Sequence, residues 1–339
     1  MIIGITGYGY TGSGAVSDLL KEYSGIQVQD DFEFTLSFWP DGLEDLEYHL
    51  VENPNRFFSS DISIKRFKEF VRKENRSPRG WYKKATHGQF FSLSMKYIDS
   101  LTDAKWQGRW MVDPFLCNEF VRTIKYRFFA RIVNRFPCLE GIGNRVLDRE
   151  MCFSIRPEDF LDITKAYTES LLQSMGYDTS RTVCLDQPFS ANNPIKGMRY
   201  YKDSRAIIVT KDPRDLYVLL IKLKVKWVPL DNVNDYVLYY KKLYETRYDR
   251  KDILYVAFED LIYNYQSTVD RIEQFCSIRK EQHIHPKQHF IPNVSIQNTQ
   301  IYLQYPEYSD AIAFIEKELH DYLFDFSNCE KPVFNGKLF

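Results

Sequence analysis

The chain has 339 residues, 44% apolar and 16% aromatic, enough to build a large core and too hydrophobic for a disordered chain. Its formal net charge of -1 excludes a global field that would draw it to nucleic acid or to an anionic membrane, so any basic site is local. The six cysteines are scattered without a C-x-x-C pair, and no apolar run is long enough to span a bilayer, which sets aside a disulfide scaffold, a thiolate metal cluster and a membrane-spanning segment.

Met1 leads straight into Ile2-Ile3-Gly4-Ile5, with no basic region, long apolar stretch or cleavage site, so a cytoplasmic protein with reduced thiols is expected. Ile2–Thr6 reads as a buried strand. It runs into Gly7-Tyr8-Gly9-Tyr10-Thr11-Gly12-Ser13-Gly14, and a helix follows from Ala15 with Val16, Leu19, Leu20 and Tyr23 at helical spacing and Gly25 as its stop. Glycines allow positive φ and close backbone approach, so successive N–H groups can converge on an anion at the positive end of the helix. Gly7-x4-Gly12 has the spacing of a nucleotide phosphate loop. Ser13-Gly14, however, stands where that motif needs Lys followed by Ser or Thr, which disfavours magnesium-dependent ATP chemistry.

From about 40 to 180 aromatic and charged helical stretches dominate. Asn118–Phe136 is expected as one helix, with Arg127, Arg131 and Arg135 along one face, Val121, Phe128 and Ile132 on another, and Arg122, Lys125, Arg145 and Arg149 nearby. Such a face is either solvated or a docking surface for an anionic substrate. Pro157–Met175 reads as a second helix, with proline at the favoured first turn and Gly176 after its end. No Gly-, Pro- or Ser-rich linker separates this region. The expectation is therefore a single domain over 1–339 carrying a helical, aromatic-rich insertion at about 40–180.

Three further strands are expected. Thr182–Leu185 ends in Asp186-Gln187-Pro188; Ala206–Thr210 is followed by Lys211-Asp212-Pro213-Arg214-Asp215; Ile253–Phe258 precedes Glu259-Asp260-Leu261 and a helix with Val269, Ile272 and Phe275. Apolar strands alternating with helices imply a parallel sheet covered on both faces, and ligands then bind beyond the carboxyl ends of the strands. That places Asp186, Lys211 and Arg214 at the same crevice as the glycine loop. Asp212 suits an N-cap, Pro213 a first helical residue and Asp215 a capping-box partner, which leaves Lys211 and Arg214 as candidates for a second phosphate. Asp186, at its strand mouth, is either a turn aspartate or a general base. His283-x-His285-x3-His289 is not a metal site, because Pro286 breaks the helix that the spacing needs and no acidic or thiolate ligand accompanies it.

Taken together, the order of these motifs resembles the PAPS-dependent sulfotransferase superfamily. In that family a strand–loop–helix with a Lys/Arg-Ser-Gly-Thr core binds the 5′-phosphosulfate; here Ser13-Gly14 matches Ser-Gly, with Gly12 in place of the cation and Ala15 in place of the hydroxyl residue. A later Arg-Asn/Asp-Pro-Lys/Arg-Asp segment binds the 3′-phosphate, and Lys211-Asp212-Pro213-Arg214-Asp215 is similar to it, with Leu219 where the family has serine. Tyr255–Leu261 looks like the family's Tyr-Glu-Asp-Leu stretch. Phe290-x-Pro292-x-x-Ser295-x-x-Asn298 is similar to a Ser-x-x-Asn element of glycan-type members, and Leu185-Asp186-Gln187-Pro188 falls where those members carry a catalytic carboxylate.

The resemblance implies a P-loop-type three-layer fold with a central parallel sheet, and sulfuryl transfer from PAPS to a hydroxyl, on a glycan or glycoconjugate. It implies a cofactor-binding set of Gly9, Tyr10, Thr11, Gly12, Ser13, Gly14, Ala15, Lys211, Arg214, Ser295 and Asn298, with Asp186 and Lys211 catalytic and no metal. Lys211, Lys196 and Lys287 are the candidates for the cation that Gly12 lacks. A P-loop kinase using ATP and a catalytically degenerate anion-binding relative are the alternatives.

Overall fold

The computed structural model describes residues 1–55 and 58–333. Its strands in chain order are β1 (Ile2–Gly7), β2 (Ile26–Gln29), β3 (Ala104–Gly108), β4 (Arg149–Phe153), β5 (Thr182–Asp186), β6 (Ser204–Thr210) and β7 (Ile253–Ala257). The described residues cluster into two compact units, one of Met1–Phe38 with Gly176–Phe339 and one of Trp39–Met175.

The first unit holds a five-stranded sheet in the order β2-β5-β1-β6-β7. Every neighbouring pair is parallel: Ile5 lies opposite Asp186 on one side of β1 and opposite Ile207 on the other, and Thr210 of β6 pairs with Ala257 of β7. Side chains alternate across a strand. Ile3 and Ile5, Cys184, Ile207, Val209 and Val256 therefore share one face, and they pack with Val16, Leu19 and Leu20 of the Ser13–Lys21 helix and Val269 and Ile272 of the Tyr265–Cys276 helix. The opposite face takes the Phe189 ring, which lies against Gly4. A Cβ on Gly4 would sit 2.2 Å from that ring, so the strand interior needs glycine for the approach. The sequence expectation of a parallel sheet covered on both faces is met, and β2 is a strand that periodicity did not mark.

The chain runs from β1 to β2 on one side and returns through β5 before crossing to β6 and β7 on the other. Beside β1 the strand order therefore reverses, and that is where an open α/β sheet leaves a crevice at its carboxyl edge. The glycine loop leaves β1 at this point.

The second unit is mainly helical. Helices Ser59–Arg76, Phe90–Leu101 and Phe160–Ser174 pack together, with the Tyr97 and Tyr167 rings stacked 4.3 Å apart and each hydroxyl bonded across to the facing helix. β3 and β4 pair antiparallel. Asp61, fully buried, holds this end of the unit together by accepting from Cys152 N, Trp110 Nε1 and Lys65 Nζ. The expected Asn118–Phe136 helix is present with a changed pitch. Its first turn, Glu119–Val121, is capped by Asn118; Arg122–Phe129 then winds as a π-helix, and Ala130–Arg135 returns to α. Among the described residues no helix is long and apolar enough to cross a membrane.

The histidine-rich segment owes its shape to a buried carboxylate that the sequence reading missed. Glu22, at the end of the first helix and fully buried, accepts from the backbone N–H of Lys287, His289 and Phe290 at 2.9–3.0 Å and lies 2.7 Å from His283 Nε2. A carboxylate with several N–H donors is a well-satisfied buried charge, and deleting it orphans all of them. Glu22→Ala is expected to destabilise the fold by about 3–5 kcal/mol, read as a lowered urea midpoint at unchanged m-value.

Candidate functional site

The glycine loop closes by local bonding. Tyr8 N donates to Thr11 Oγ1 at 3.3 Å and Ala15 N to the Gly12 carbonyl at 3.0 Å. Gly9, Tyr10 and Gly12 all have positive φ, which turns the chain sharply into the helix. Gly12 is required twice over: its φ is +91°, and a Cβ there would stand 2.4 Å from the Phe258 ring. The position where related loops carry a cation is thus closed to any side chain here. Around Gly14, by contrast, no atom lies within 4 Å of where a Cβ would be. Ser13 and Gly14 begin the helix, so their N–H groups have no intrahelical acceptor and the positive end of the helix faces the loop.

β5 delivers Asp186 next to this loop. Asp186 lies in register with Ile5, and the following Gln187 donates from Nε2 to Ser13 Oγ at 3.2 Å while its Oε1 lies 2.8 Å from Thr6 Oγ1. The Asp186 backbone carbonyl accepts from Phe34 N, but its side-chain Oδ1 is buried with no hydrogen-bond partner among the described residues. Burial, reinforced by the Glu33 and Asp30 carboxylates, pushes its pKa up to about 7. Asp186 thus offers a half-buried carboxyl whose Oδ1 has no partner among the described residues and whose raised pKa lies near neutrality.

The turn after β6 differs from its sequence reading. Asp212 is the N-cap and Pro213 the first helical residue, as expected, with Asp212 Oδ1 accepting from Arg214 N at 2.9 Å. Asp215 is not a capping-box partner. Its carboxylate instead accepts from Gln300 N at 2.7 Å and Tyr302 N at 3.2 Å, and Glu259 Oε1 takes the Asp212 N–H at 2.9 Å. The two cations face inward. Arg214 grips Asp212 through Nε and Nη2, reaches Glu316 Oε1 and the Phe324 carbonyl, and lies over the rings of Tyr302 and Phe326. Lys211 is 3% exposed; its Nζ donates to the Asn298 carbonyl at 2.5 Å and sits 4.1 Å from the centre of the Phe258 ring. Burial lowers the Lys211 pKa, opposed by Glu259, Asp215 and Asp212, and burial raises Glu259 to about 7.

Of the residues singled out in sequence, the structure therefore joins Lys211 to Asn298 directly, and Lys211 and Gly12 touch the same ring. Asn298 Oδ1 is buried without a partner among the described residues, and Ser295 ends the short Pro292–Ser295 helix preceding it. The Lys287 backbone N–H is held by Glu22 and its ammonium lies over Tyr265. Two residues that sequence reading passed over belong to the site. Gln187 bridges loop and strand, and Trp227 lies on Gly9, its Cη2 2.2 Å from the Cβ that glycine lacks, and stacks with Tyr10 at 6.2 Å. A tryptophan in a loop outside any apolar periodicity was the available signal. Among the described residues no cluster of His, Cys, Asp and Glu is arranged to hold a metal ion.

No family model matches the sequence, and comparison with curated proteins finds no match. Solved structures do match. The chain is similar to the sulfotransferase domain from the curacin biosynthetic pathway at 10% identity, over 94% of this chain and 97% of that one, with a TM-score of 0.40. It is similar to the sulfotransferase domain of the Synechococcus PCC 7002 olefin synthase at 11% identity, covering 84% and 75% with a TM-score of 0.38. It is also similar to sulfotransferase STF9 from Mycobacterium avium at 10% identity, covering 92% and 76% with a TM-score of 0.34.

Two measurements follow from this geometry. The folded chain holds a proton on Asp186 up to about pH 7, whereas an unfolded aspartate releases it near 3.8, so this group's contribution to stability falls as pH rises from about 4 through 7. Asp186→Asn is expected to leave stability unchanged at pH 4 and to raise it by on the order of 4 kcal/mol at pH 8, read from thermal melts across that range. Arg214→Ala leaves Asp212 buried without its counter-charge and is expected to cost about 3–5 kcal/mol in chemical unfolding.

Proposed function

We propose that the protein is a cytoplasmic sulfotransferase that moves a sulfuryl group from PAPS to a hydroxyl acceptor on a glycan or glycoconjugate. The observation that carries this reading is Asp186: an unpartnered, half-buried carboxyl with a pKa of about 7, one residue from the side chain that braces the phosphate loop. In the proposed step its carboxylate takes the acceptor's hydroxyl proton. The acceptor oxygen forms a bond to sulfur as the bond from sulfur to the 5′-phosphate oxygen breaks, giving a sulfate ester and PAP. The Ser13 and Gly14 N–H groups and the helix dipole would offset the charge left on the 5′-phosphate. A transfer of this kind uses oriented N–H groups and cations where phosphoryl transfer uses magnesium, which suits a loop without the magnesium-binding hydroxyl.

The cradle fits the phosphosulfate end of PAPS better than the turn after β6 fits its 3′ end. For Lys211 to meet a 3′-phosphate its ammonium would leave the Asn298 carbonyl; the Asn298 amide, with its buried unpartnered oxygen, sits at the same place. The exposed, stacked pair of Tyr10 and Trp227 beside the loop supports a sugar acceptor, since aromatic faces pack against the apolar faces of sugars. The inward commitment of Lys211 and Arg214 favours a second reading, a relative that binds the nucleotide and has lost transfer.

Melting in the presence of PAP, compared with ADP and magnesium, separates these readings from a kinase. PAP at a hundredfold over its Kd is expected to stabilise the fold by about 2.7 kcal/mol, and a shift with ADP–magnesium alone would sink the proposal. Labelled PAPS incubated with glycans is expected to yield labelled ester. Asp186→Asn should lower kcat by roughly 10²–10⁴ and remove the limb near pH 7 while the PAP shift persists. A PAP shift with no transfer to any acceptor establishes the binding relative instead.

A further inference from the structure

The segment between Val112 and Asp148 contributes little to any core and presents a surface that nothing in the first unit's chemistry uses. Phe120, Ile124, Phe128, Ile132 and Phe136 recur at every fourth position, and all five are exposed, Phe120 at 73% and Phe128 at 63%. In an α-helix a four-residue step advances about 40° beyond a full turn, so such a series would spiral away from one face. In a π-helix, bonded i→i+5 with about 4.4 residues per turn, the same step falls about 30° short. The π-helical stretch Arg122–Phe129, set between α-helical turns, cancels the drift and keeps Phe120, Ile124, Phe128 and Ile132 in one stripe, with Phe136 at the helix end.

The other side of this helix is already filled. Val133 is buried against Gly143 of the Glu140–Leu147 helix, where a Cβ would stand 2.3 Å from Val133 Cγ1, so the stripe is the outer face of a closed helical pair. Met111 and Phe115, just before it in the chain, are exposed at 88% and 77%. Soluble surfaces rarely leave so much contiguous apolar area open without a partner.

Charge decides among partners. Arg127, Arg131 and Arg135 each directly precede Phe128, Ile132 and Phe136, so a row of guanidinium groups runs beside the apolar stripe. Only Arg127 is near a carboxylate, Glu119 at 3.7 Å; among the described residues Arg131 and Arg135 make no ion pair. Two copies packing antiparallel through this face about a two-fold axis would bring like-charged rows together, which disfavours that mode of self-association. Rings exposed by more than half, Phe120, Phe128 and Phe136, project from the surface instead of lining a groove, so they match a medium that yields around them better than a rigid protein face. An apolar stripe flanked by arginines on an otherwise near-neutral chain is the signature of a helix that lies in the plane of an anionic lipid surface.

We infer that the Phe120–Phe136 face docks the protein on an anionic phospholipid bilayer, with the aromatic stripe in the acyl boundary and Arg127, Arg131 and Arg135 among the headgroups. The test is sedimentation of the full chain with vesicles of phosphatidylcholine alone and of phosphatidylcholine with about one third phosphatidylserine, at low and high salt. Binding is expected to the anionic vesicles only and to weaken with salt. Neutralising the row as Arg127→Gln, Arg131→Gln and Arg135→Gln is expected to reduce partitioning by tenfold to hundredfold, in order-of-magnitude terms. Phe120→Ser with Phe128→Ser should abolish binding at an unchanged melting temperature. Equal binding to both vesicles, or no binding by the unsubstituted chain, overturns the inference. So does a dimer in light scattering that the Phe120→Ser, Phe128→Ser variant converts to monomer, which would make the stripe a self-association surface.

Discussion

The turns after β6 and β7 bring five charged side chains into one poorly solvated place, and the carboxyl edge of the sheet is organised by how they are neutralised. Lys211, Asp212, Arg214, Asp215 and Glu259 are all buried. Each is answered from another part of the chain: Asn298 for Lys211, Phe324 and Glu316 around the Asp212–Arg214 pair, Gln300 and Tyr302 for Asp215, Asp212 N for Glu259. A buried charge is tolerated only with such partners, so the segments supplying them are fastened to the end of the sheet. Two tyrosine hydroxyls from the Val233–Glu245 helix complete the arrangement by donating to the carbonyls of Lys211 and Pro213.

The same constraint shapes the glycine loop. Phe258 follows β7 immediately before Glu259, and its ring lies against Gly12 on the loop and beneath the Lys211 ammonium. The loop's missing cation and the buried lysine therefore share a cause: an aromatic ring and a folded-in lysine occupy the ground where a loop side chain would stand. What remains open is the helix end at Ser13 and Gly14 and, beside it, a carboxyl at Asp186 that no donor claims. Lys211, Asp212 and Arg214 at the β6 end are paired, whereas the Asp186 Oδ1 at β5 has no partner among the described residues.

The β1, β5, β6 and β7 strands were readable because each is a short apolar run with a turn signal at its carboxyl end, and buried parallel strands look that way. β2 was missed because Ile-Gln-Val-Gln is half polar and sits at the sheet edge, only partly buried. The helical face of Arg127, Arg131 and Arg135 was legible by spacing. The π-helical winding that keeps Phe120 through Ile132 on one face was not, since helix periodicity assumes 3.6 residues per turn. The partner of the histidine run, Glu22, lies more than 250 residues from His283 in sequence, out of reach of any local pattern.

Local chemistry in the sequence determined the strand–loop–helix order, the crevice end of the sheet, the Asp212–Pro213 helix start and the candidacy of Asp186. Those depend on neighbours a few residues apart, on steric limits of φ, and on the alternation of apolar side chains. Tertiary structure alone decided which charges are free. Lys211 and Arg214 gained partners, Asn298, Glu316 and Phe324, that come from distant segments, while folding half-buried the Asp186 carboxyl and brought its Oδ1 no donor among the described residues. Desolvation and long-range pairing are properties of a folded surface, and no window of sequence contains them.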